Sequence, residues 1–320
     1  MKTVWIAWED HRRTKELAKY FNIELFIITS TLPRILKYPL LLFKTHVILF
    51  KLRPNIVIIQ TPSIILAVFC SVMKYYYNFK LIADLHNAAI IPESVWLKKI
   101  HFLYKYAHKK ADVNIVTNSN LKEKIETNGN KAIVLPDILP FFAQNNIRPA
   151  IVNFTSNYFV SICTFGIDEP FDEIIKAARL LNTNITLIIT GNPGKCPVEI
   201  KNNLPVNVKL SGYLKESDYV SLLYFSTGII DLTKRENCLL CGAYEAVSLE
   251  KPLILTDTMA LKKYFSDGVV FCSNDSQSIA EAITTVNNNL IFYRRAMQKL
   301  KKTISTGWQQ YEKSIIDIIS

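Results

Sequence analysis

The strongest constraint on the fold is a regular alternation of short, β-branched apolar runs with longer helical patterns along all 320 residues. Runs that are apolar on both faces and separated by helices are typical of parallel sheets covered on both sides. The predicted strands lie at residues 3–8, 24–28, 55–59, 80–84, 113–117 and 132–135, and then at 159–163, 185–190, 206–211, 228–232, 252–255 and 269–272. The sequence therefore predicts an α/β protein with two sheets.

The interruption between the two groups of strands predicts a domain boundary. Pro136, Pro140 and the polar stretch that follows them have no clear period, which is typical of a linker. We expect two doubly wound Rossmann-like domains facing a cleft, one over residues 1–140 and one over 150–304, with a last helix over 305–320 packing back on the first domain. In such sheets ligands bind beyond the carboxyl ends of the strands, so the residues there are the functional candidates.

Basic side chains are concentrated in the first half of the chain. Residues 1–145 contain 20 Lys and Arg against 10 Asp and Glu, whereas residues 146–320 contain 18 against 17. A one-sided basic half indicates an anionic partner: nucleic acid, an anionic lipid surface or a phosphorylated substrate. Residues 94–110 interleave lysines with aromatic residues, which suits an anionic membrane surface or an ordinary amphipathic helix. Because no nucleic-acid-binding motif is visible, we expect the membrane surface and no nucleic acid.

The cysteines and histidines argue against a metal site. Cys238 and Cys241 form a single C-x2-C without a second pair, and no histidine follows His108. The other cysteines lie mostly in or beside apolar runs, as free thiols do in a reducing compartment. The first residues do not form a secretory signal, and no uninterrupted apolar stretch reaches the roughly 20 residues that span a bilayer. We predict a cytoplasmic protein that is peripheral on the inner face of the membrane.

A basic cluster follows the first predicted strand. His11, Arg12 and Arg13 come at the start of a predicted helix, where backbone N–H groups already favour anions. Two arginines there can grip a phosphate, although a solvated helix start explains them equally well. The first glycine of the chain is Gly129, which excludes the G-x-G-x-x-G turn of nicotinamide dinucleotide folds after this strand.

Three polar residues end the fourth predicted strand, in the string LIADLHN. They are Asp84, His86 and Asn87. Asp84 can orient His86, and His86 can transfer protons near neutral pH. The alternative is a satisfied turn, in which Asp84 bonds the loop backbone. We expect these three residues to be catalytic.

Glycine turns follow two strands of the second group. Thr164, Phe165 and Gly166 connect a strand to a helix and predict backbone donors for a diphosphate. Gly191 lies in a second turn, TGNPG, which is equally compatible with a plain turn.

The most informative string is IIDLTKRENCLLCGAYEAVSLEKPLILTD, residues 229–257. A strand ends in Lys234, Arg235 and Glu236, and a small-residue turn leads into a helix that carries Glu245. A cation pair beside a helix start suits a departing diphosphate, and a carboxylate within the helix suits the two hydroxyls of a ribose. The string predicts a nucleotide site that requires no metal.

At this point the sequence resembles a known family. Residues 212–257 resemble the donor domain of the group-1 (family four) glycosyltransferases. These carry two glutamates with seven residues between them, and then a "PLI" followed by T/S-D. YEAVSLEKPLILTD matches the second half, so Glu245 resembles the ribose-binding glutamate. Glu236 and Glu245 are separated by eight residues instead of seven, with Asn237 in the usual position of the first glutamate. LIADLHN resembles the D-x-H-N segment of the β-mannosyltransferases that extend lipid-diphosphate chitobiose.

The resemblance implies a GT-B fold and transfer of a hexose from a nucleoside-diphosphate sugar to a lipid-linked or polysaccharide acceptor, in cell-surface glycan synthesis. It implies no cofactor. The second domain would bind the donor through Thr164–Gly166, Gly191, Lys234–Asn237 and Glu245, and the first domain would face the acceptor through His11, Arg12 and Arg13. Two alternatives stay open: a non-catalytic partner subunit of the same fold, and a sugar-nucleotide epimerase.

Overall fold

The computed structural model describes residues 1–61, 63–92, 94–142 and 157–319. The chain forms two compact units: the N-terminal unit, Met1–Ile138 with Gly307–Ser320, and the C-terminal unit, Leu139–Thr306. Residue 150, the predicted start of the second domain, lies outside the described residues.

Within the described ranges, the N-terminal unit contains a six-stranded parallel sheet in the order β2-β1-β3-β4-β5-β6. The strands are β1 (Thr3–Ala7), β2 (Glu24–Ile27), β3 (Ile56–Thr61), β4 (Lys80–Leu85), β5 (Val113–Val116) and β6 (Ala132–Val134). The helices are α1 (Arg12–Tyr20), α2 (Arg34–Leu52), α3 (Ile64–Tyr77), α4 (Asn87–Ile90), α5 (Val95–Lys110) and α6 (Ser119–Glu126).

Alternate residues of the inner strands pack into two separate cores, which is why these strands are apolar on both faces. In β3, Val57 and Ile59 face a core shared with Leu41 and Leu66 of α2 and α3. Ile56 and Ile58 face the opposite core, which contains Leu17 of α1 and also Trp308 and Ile315 from the end of the chain. Successive strand side chains point to opposite faces, so two helical layers cover one sheet.

The described part of the C-terminal unit repeats this plan with a six-stranded parallel sheet in the order β12-β11-β10-β7-β8-β9. The strands are β7 (Asn157–Ser161), β8 (Ile185–Thr190), β9 (Val208–Gly212), β10 (Gly228–Asp231), β11 (Leu253–Thr256) and β12 (Val269–Cys272). The helices are α7 (Phe171–Ala178), α8 (Val198–Asn202), α9 (Glu216–Tyr224), α10 (Cys241–Ser248), α11 (Met259–Tyr264) and α12 (Ser276–Asn288). A last helix, α13 (Leu290–Ile319), begins in this unit and ends in the N-terminal unit.

The end of the chain differs from the separate last helix that the sequence predicts over 305–320. The break falls at Asn289, and α13 continues through Gly307 without interruption. Beyond Gly307, the Trp308 indole N–H donates to the carbonyl of Pro136 at 3.2 Å, and Lys80 Nζ donates to the carbonyl of Ile318 at 3.0 Å. Tertiary packing of Trp308 thus keeps the helix intact past a weak helix former.

The prediction of two doubly wound Rossmann-like sheets, the GT-B class of architecture, is confirmed. Both sheets are parallel throughout the described residues, with helices on both faces. Among the helices in those residues, none combines the length and the apolar character needed to cross a bilayer.

Candidate functional site

The carboxyl end of β4 in the N-terminal unit holds a buried ion-pair network. Arg13, in the first turn of α1, donates from Nε and Nη2 to the carboxylate of Asp84 at 3.0–3.3 Å. Its Nη1 pairs with Asp137, and its Nη2 also donates to the carbonyl of Leu135 at 2.8 Å. Asp84 is 0% exposed and Arg13 is 8% exposed. Burial by itself lowers the pKa of Arg13, but Asp84 and Asp137 raise it far more, so the guanidinium stays charged.

This network corrects the expectation that Asp84 orients His86. Both carboxylate oxygens of Asp84 accept from Arg13, and the Thr61 hydroxyl donates to the Asp84 carbonyl at 2.9 Å. The physical reason is burial: a carboxylate without solvent needs a full counter-charge, which a neutral imidazole does not supply. The buried Arg13–Asp84 pair therefore fixes the end of β4, from which the neighbouring polar residues extend.

His86 lies beside this network in a half-buried position. Its ring meets the His11 ring edge-on, with 4.6 Å between centroids, and its Nε2 is 3.4 Å from Gln60 Nε2. Burial lowers the pKa of His86 to about 4, with His11 and Arg13 acting in the same direction and Asp84 opposing them. His86 is neutral at pH 7 and can accept a proton.

The structure brings the rings of His11 and His86 together at the edge of the N-terminal sheet. His11 precedes α1, and His86 precedes the short helix α4, which Asn87 begins. Arg12 instead pairs with Glu16 on the surface of α1, with Nε–Oε1 at 2.8 Å. The polar edge of the N-terminal sheet thus consists of the histidine pair and Asn87, with the Arg13–Asp84 ion pair next to them.

In the C-terminal unit, the turn after β7 converges on one carboxylate. Glu169 accepts from the backbone N–H of Thr164 at 2.9 Å, from that of Gly166 at 2.8 Å and from the Thr164 hydroxyl at 3.0 Å. The Cys163 thiol donates to the same carboxylate at 3.2 Å. Phe165 between them has a φ of 59°, the left-handed conformation that turns successive N–H groups toward one point.

The turn after β8 locks this first turn in place. Thr190, the last residue of β8, accepts from the Cys163 N–H at 3.0 Å. Gly191 has a φ of 102°, and a Cβ there would lie 2.3 Å from the Cys163 carbonyl oxygen. Only glycine fits this approach. Gly191 therefore has a structural reason to be glycine.

The carboxyl end of β10 carries a buried acid that the sequence analysis missed. Asp231 is 7% exposed and lies against the N-terminus of α10, where the N–H groups of Gly242 and Ala243 point toward its carboxylate. Burial, and then Glu245 and Glu169, raise the pKa of Asp231 well above its usual value, and the two N–H groups only partly oppose them. The charged form of Asp231 is therefore disfavoured in the folded protein. The string IID at Asp231 repeats the pattern of IAD at Asp84, and this repetition could have identified Asp231 as a candidate from the sequence.

Glu245 lies one turn inside α10 and is also buried, at 7% exposure. Its Oε2 accepts a 2.6 Å hydrogen bond from the Tyr219 hydroxyl of α9. This carboxylate is close enough to Asp231 to raise the pKa of that acid. Glu245 is thus fixed at the same edge of the sheet as the Glu169 turn.

The basic pair after β10 is joined to the turn after β7. Lys234 is exposed, and its N–H donates to the Asp168 carbonyl at 2.7 Å. Arg235 Nε is 3.3 Å from the Asp168 carboxylate. Thr164–Gly166, Lys234 and Arg235 are therefore gathered, whereas Glu236 accepts from the Met259 N–H at 3.0 Å and so caps α11. Asn237 is half-buried in the loop that leads to α10.

Comparison with solved structures identifies the class of fold. HepE from Anabaena, in complex with UDP-glucose, superimposes with a TM-score of 0.73 at 11% identity, over 98% of this chain and 99% of that one. Sucrose-phosphate synthase from Thermosynechococcus elongatus gives 0.77 at 11%, over 99% and 98%. A Listeria monocytogenes protein assigned as a UDP-N-acetylglucosamine 2-epimerase gives 0.60 at 14%, over 92% and 82%.

The chain thus has the GT-B fold, the fold in which HepE binds UDP-glucose. No protein-family model matches the sequence, and no curated protein matches it either.

Proposed function

We propose that this protein is a glycosyltransferase that takes a hexose from a nucleoside-diphosphate sugar. The observation that carries the proposal is the edge of the C-terminal sheet, where a buried glutamate, a turn rich in N–H donors and a basic pair come together. HepE binds UDP-glucose within the same fold, which supports a donor of this class. In this proposal the acceptor is a lipid-linked or polysaccharide chain of the cell surface, and no metal or cofactor takes part.

The donor roles follow from the chemistry of each group. Glu245, held by Tyr219, accepts from the ribose hydroxyls. The N–H groups of Thr164 and Gly166, with Lys234 and Arg235, receive the diphosphate. Breaking the sugar–phosphate bond adds charge to that diphosphate, so donors already in place stabilise the transition state more than the ground state. Gly191 shapes the turn after β8, and Glu236 and Asn237, which follow Lys234 and Arg235 in the chain, are assigned to donor binding with them.

The N-terminal unit is assigned to the acceptor. A neutral His86 can accept the proton of an attacking hydroxyl, with His11 and Asn87 beside it. Arg13 and Asp84 act as positioning residues, because their mutual pairing fixes the loop that carries His86. Arg12, half-buried at the helix start, carries a second positive charge at this edge and is assigned to an acceptor phosphate.

The donor assignment is tested by binding. We expect one of the UDP-, GDP- or ADP-sugars to raise the melting temperature, since a ligand bound only to the folded state stabilises it. Glu245→Gln keeps the size of the side chain but removes its charge, and it should weaken donor binding by about tenfold or more, as loss of a hydrogen bond to a charged group does. The matched control is Glu199→Gln, a charge removal on an exposed helix of the same unit. Equal affinity in Glu245→Gln and Glu199→Gln would refute the ribose role.

We also propose that the N-terminal unit rests on an anionic membrane surface. α3 packs against both α2 and α5, and these neighbouring helices expose large aromatic side chains. These aromatic residues are Phe43, Phe50, Tyr75, Tyr76, Trp96 and Phe102. Lys110 lies over the rings of Tyr75 and Tyr106, at 5.4 and 5.7 Å, so cations and rings are interleaved. Exposed aromatic groups beside lysines suit the headgroup region of anionic lipids.

Vesicle binding tests this surface. We expect sedimentation with phosphatidylglycerol-containing vesicles, none with pure phosphatidylcholine, and a loss of binding at high salt. Replacing Trp96 by Ser together with Lys98 by Glu should reduce binding at least about fivefold, since each basic group near the surface contributes about 1 kcal/mol. The matched control, Phe292→Ser with Arg295→Glu, changes an exposed aromatic–basic pair of the C-terminal unit. Equal loss in both double variants would contradict the assignment.

A second candidate is a sugar-nucleotide epimerase, favoured by the likeness to the Listeria protein. An epimerase converts the nucleotide sugar without an acceptor. Incubation with the donor alone distinguishes the two: a changed sugar still attached to the nucleotide supports the epimerase, whereas a donor that reacts only when acceptor is added supports the transferase.

A further inference from the structure

One acid at the proposed donor site has no part in the donor roles above. Glu169 accepts hydrogen bonds from four donors on three neighbouring residues: the Thr164 and Gly166 N–H groups, the Thr164 hydroxyl and the Cys163 thiol. These donors are the ones that would otherwise receive an incoming phosphoryl group. A carboxylate and a phosphoryl oxygen pair compete for the same kind of N–H cradle.

Backbone conformation and side-chain packing fix the form of this turn. Phe165 takes a left-handed φ of 59°, which is costly for a residue with a large side chain. Its ring is 8% exposed and packs edge-on against Phe171, with 5.4 Å between centroids. Thr190 fixes the Cys163 N–H on the other side. The cradle is therefore built into the fold, and only its occupant can change.

The occupant can reach solvent. Thr164 is exposed, and Glu169 is only half-buried, so the side chain can swing out while the turn stays in place. Glu169 lies near the buried Asp231 and contributes to the raised pKa of that acid, after burial and Glu245. A displaced Glu169 would leave the cradle with donors and without a negative charge.

We propose that Glu169 is the residue that sets the affinity of the donor site, because it occupies the phosphoryl subsite until a diphosphate displaces it. The inference rests on the proposed donor site. A diphosphate carries more charge and more acceptor oxygens than a carboxylate and can displace it, whereas a singly charged anion cannot. Glu169 thereby selects diphosphates over weaker anions.

The test measures binding of inorganic pyrophosphate by calorimetry to the full-length protein and to Glu169→Ala. If the subsite is occupied by Glu169 at least nine-tenths of the time, apparent affinity in the native protein is reduced about tenfold or more. We therefore expect Glu169→Ala to bind pyrophosphate about tenfold more tightly, and Glu169→Gln, which keeps the side-chain volume, to show a smaller gain. The control Glu199→Gln removes an exposed charge from the same unit and should change little.

Equal or weaker binding by both Glu169 variants would overturn the inference and leave Glu169 as a brace for the turn. An equal gain in Glu199→Gln would overturn it as well, since the gain would then reflect net charge. Failure of the proposed function has a different signature: pyrophosphate affinity rises in Glu169→Ala, yet no nucleotide sugar binds any of the proteins.

Discussion

The two sheets place an aspartate at the same kind of position and treat it in opposite ways. Asp84 comes near the end of β4 and Asp231 ends β10, and each strand lies inside its sheet with a neighbour on both sides. Asp84 is matched by the buried guanidinium of Arg13. Asp231 instead faces helix N–H groups and two other acids, and burial raises its pKa.

The difference shows that a fold does not dictate how a buried acid is stabilised. An ion pair keeps the carboxylate charged, and the stability of the fold then depends strongly on both partners. Protonation removes the charge, and the stability then depends on pH. In the N-terminal unit, the Arg13–Asp84 ion pair lies beside His86 and keeps the charge of the aspartate. In the C-terminal unit, Asp231 lies beside the proposed diphosphate site, and its charge depends on pH. A permanent negative charge there would oppose diphosphate binding.

The largest expected effect is on the ion pair. Arg13→Met keeps much of the side-chain volume but leaves Asp84 and Asp137 without a counter-charge, and breaking a buried pair in this way costs roughly 3–5 kcal/mol. Hydrogen exchange of the β4 amides measures it, because a chain with two units need not unfold in one step. The control Lys122→Met removes a surface i,i+4 pair with Glu126, which is worth about 0.3–0.5 kcal/mol. Similar protection in the two variants would mean that Arg13 and Asp84 contribute no more than a surface pair.

An intermediate effect is expected at acid pH in the N-terminal unit. Burial lowers the pKa of His108 to about 4, as it does for His86. Between the ordinary pKa of about 6.5 and 4, the unfolded chain binds protons that the folded chain does not, so stability falls as pH falls. For each of these two histidines, the free energy of unfolding should fall by roughly 2–3 kcal/mol between neutral pH and pH 4.

Replacement of one ring isolates this effect. His108→Gln should flatten the pH dependence of β5 hydrogen exchange between pH 6.5 and 4, relative to the exposed control His46→Gln. An unchanged slope in His108→Gln would show that His108 is protonated in the folded protein.

The smallest effect is expected at Asp231, with the opposite sign. Because the folded pKa is raised, the folded chain holds a proton that the unfolded chain loses, so stability falls as pH rises above the ordinary value of about 3.9. Asp231→Asn mimics the protonated acid and should stabilise the C-terminal unit by about 1 kcal/mol or more at pH 8, and by less at pH 5. Unfolding monitored by exchange of the β10 amides checks this. Destabilisation at pH 8 would mean that Asp231 is ionised in the folded state.

The fold was predictable because it follows from the periodicity of apolar residues. Short apolar runs that alternate with helical stretches indicate a parallel sheet whatever the exact residues are, and the ends of those runs mark the ends of the strands. Asp84 and His86 could be found as polar residues that interrupt an apolar run. Their partners could not, since Arg13 is 71 positions away from Asp84 and only the packed sheet brings them together.

The acids of the C-terminal unit show the same limit. Asp231 reads as the last residue of one more strand, and Glu169 reads as a charge in a polar loop. Local sequence cannot show that both belong to the same edge as Glu245, because that depends on how β7 and β10 pair. Glu236 was expected to bind the donor together with Lys234 and Arg235; its carboxylate accepts from the Met259 N–H at the start of α11, a partner that local sequence does not reveal.

The continuous helix α13 affects the order in which the molecule can be completed during synthesis. Residues 307–319 supply Trp308 and Ile315 to a core whose other members, such as Trp5 and Leu17, are made first. Domains usually finish folding from the N-terminus as the ribosome advances. Here the half that emerges first must wait, with one apolar flank uncovered, until the last turns of the chain arrive.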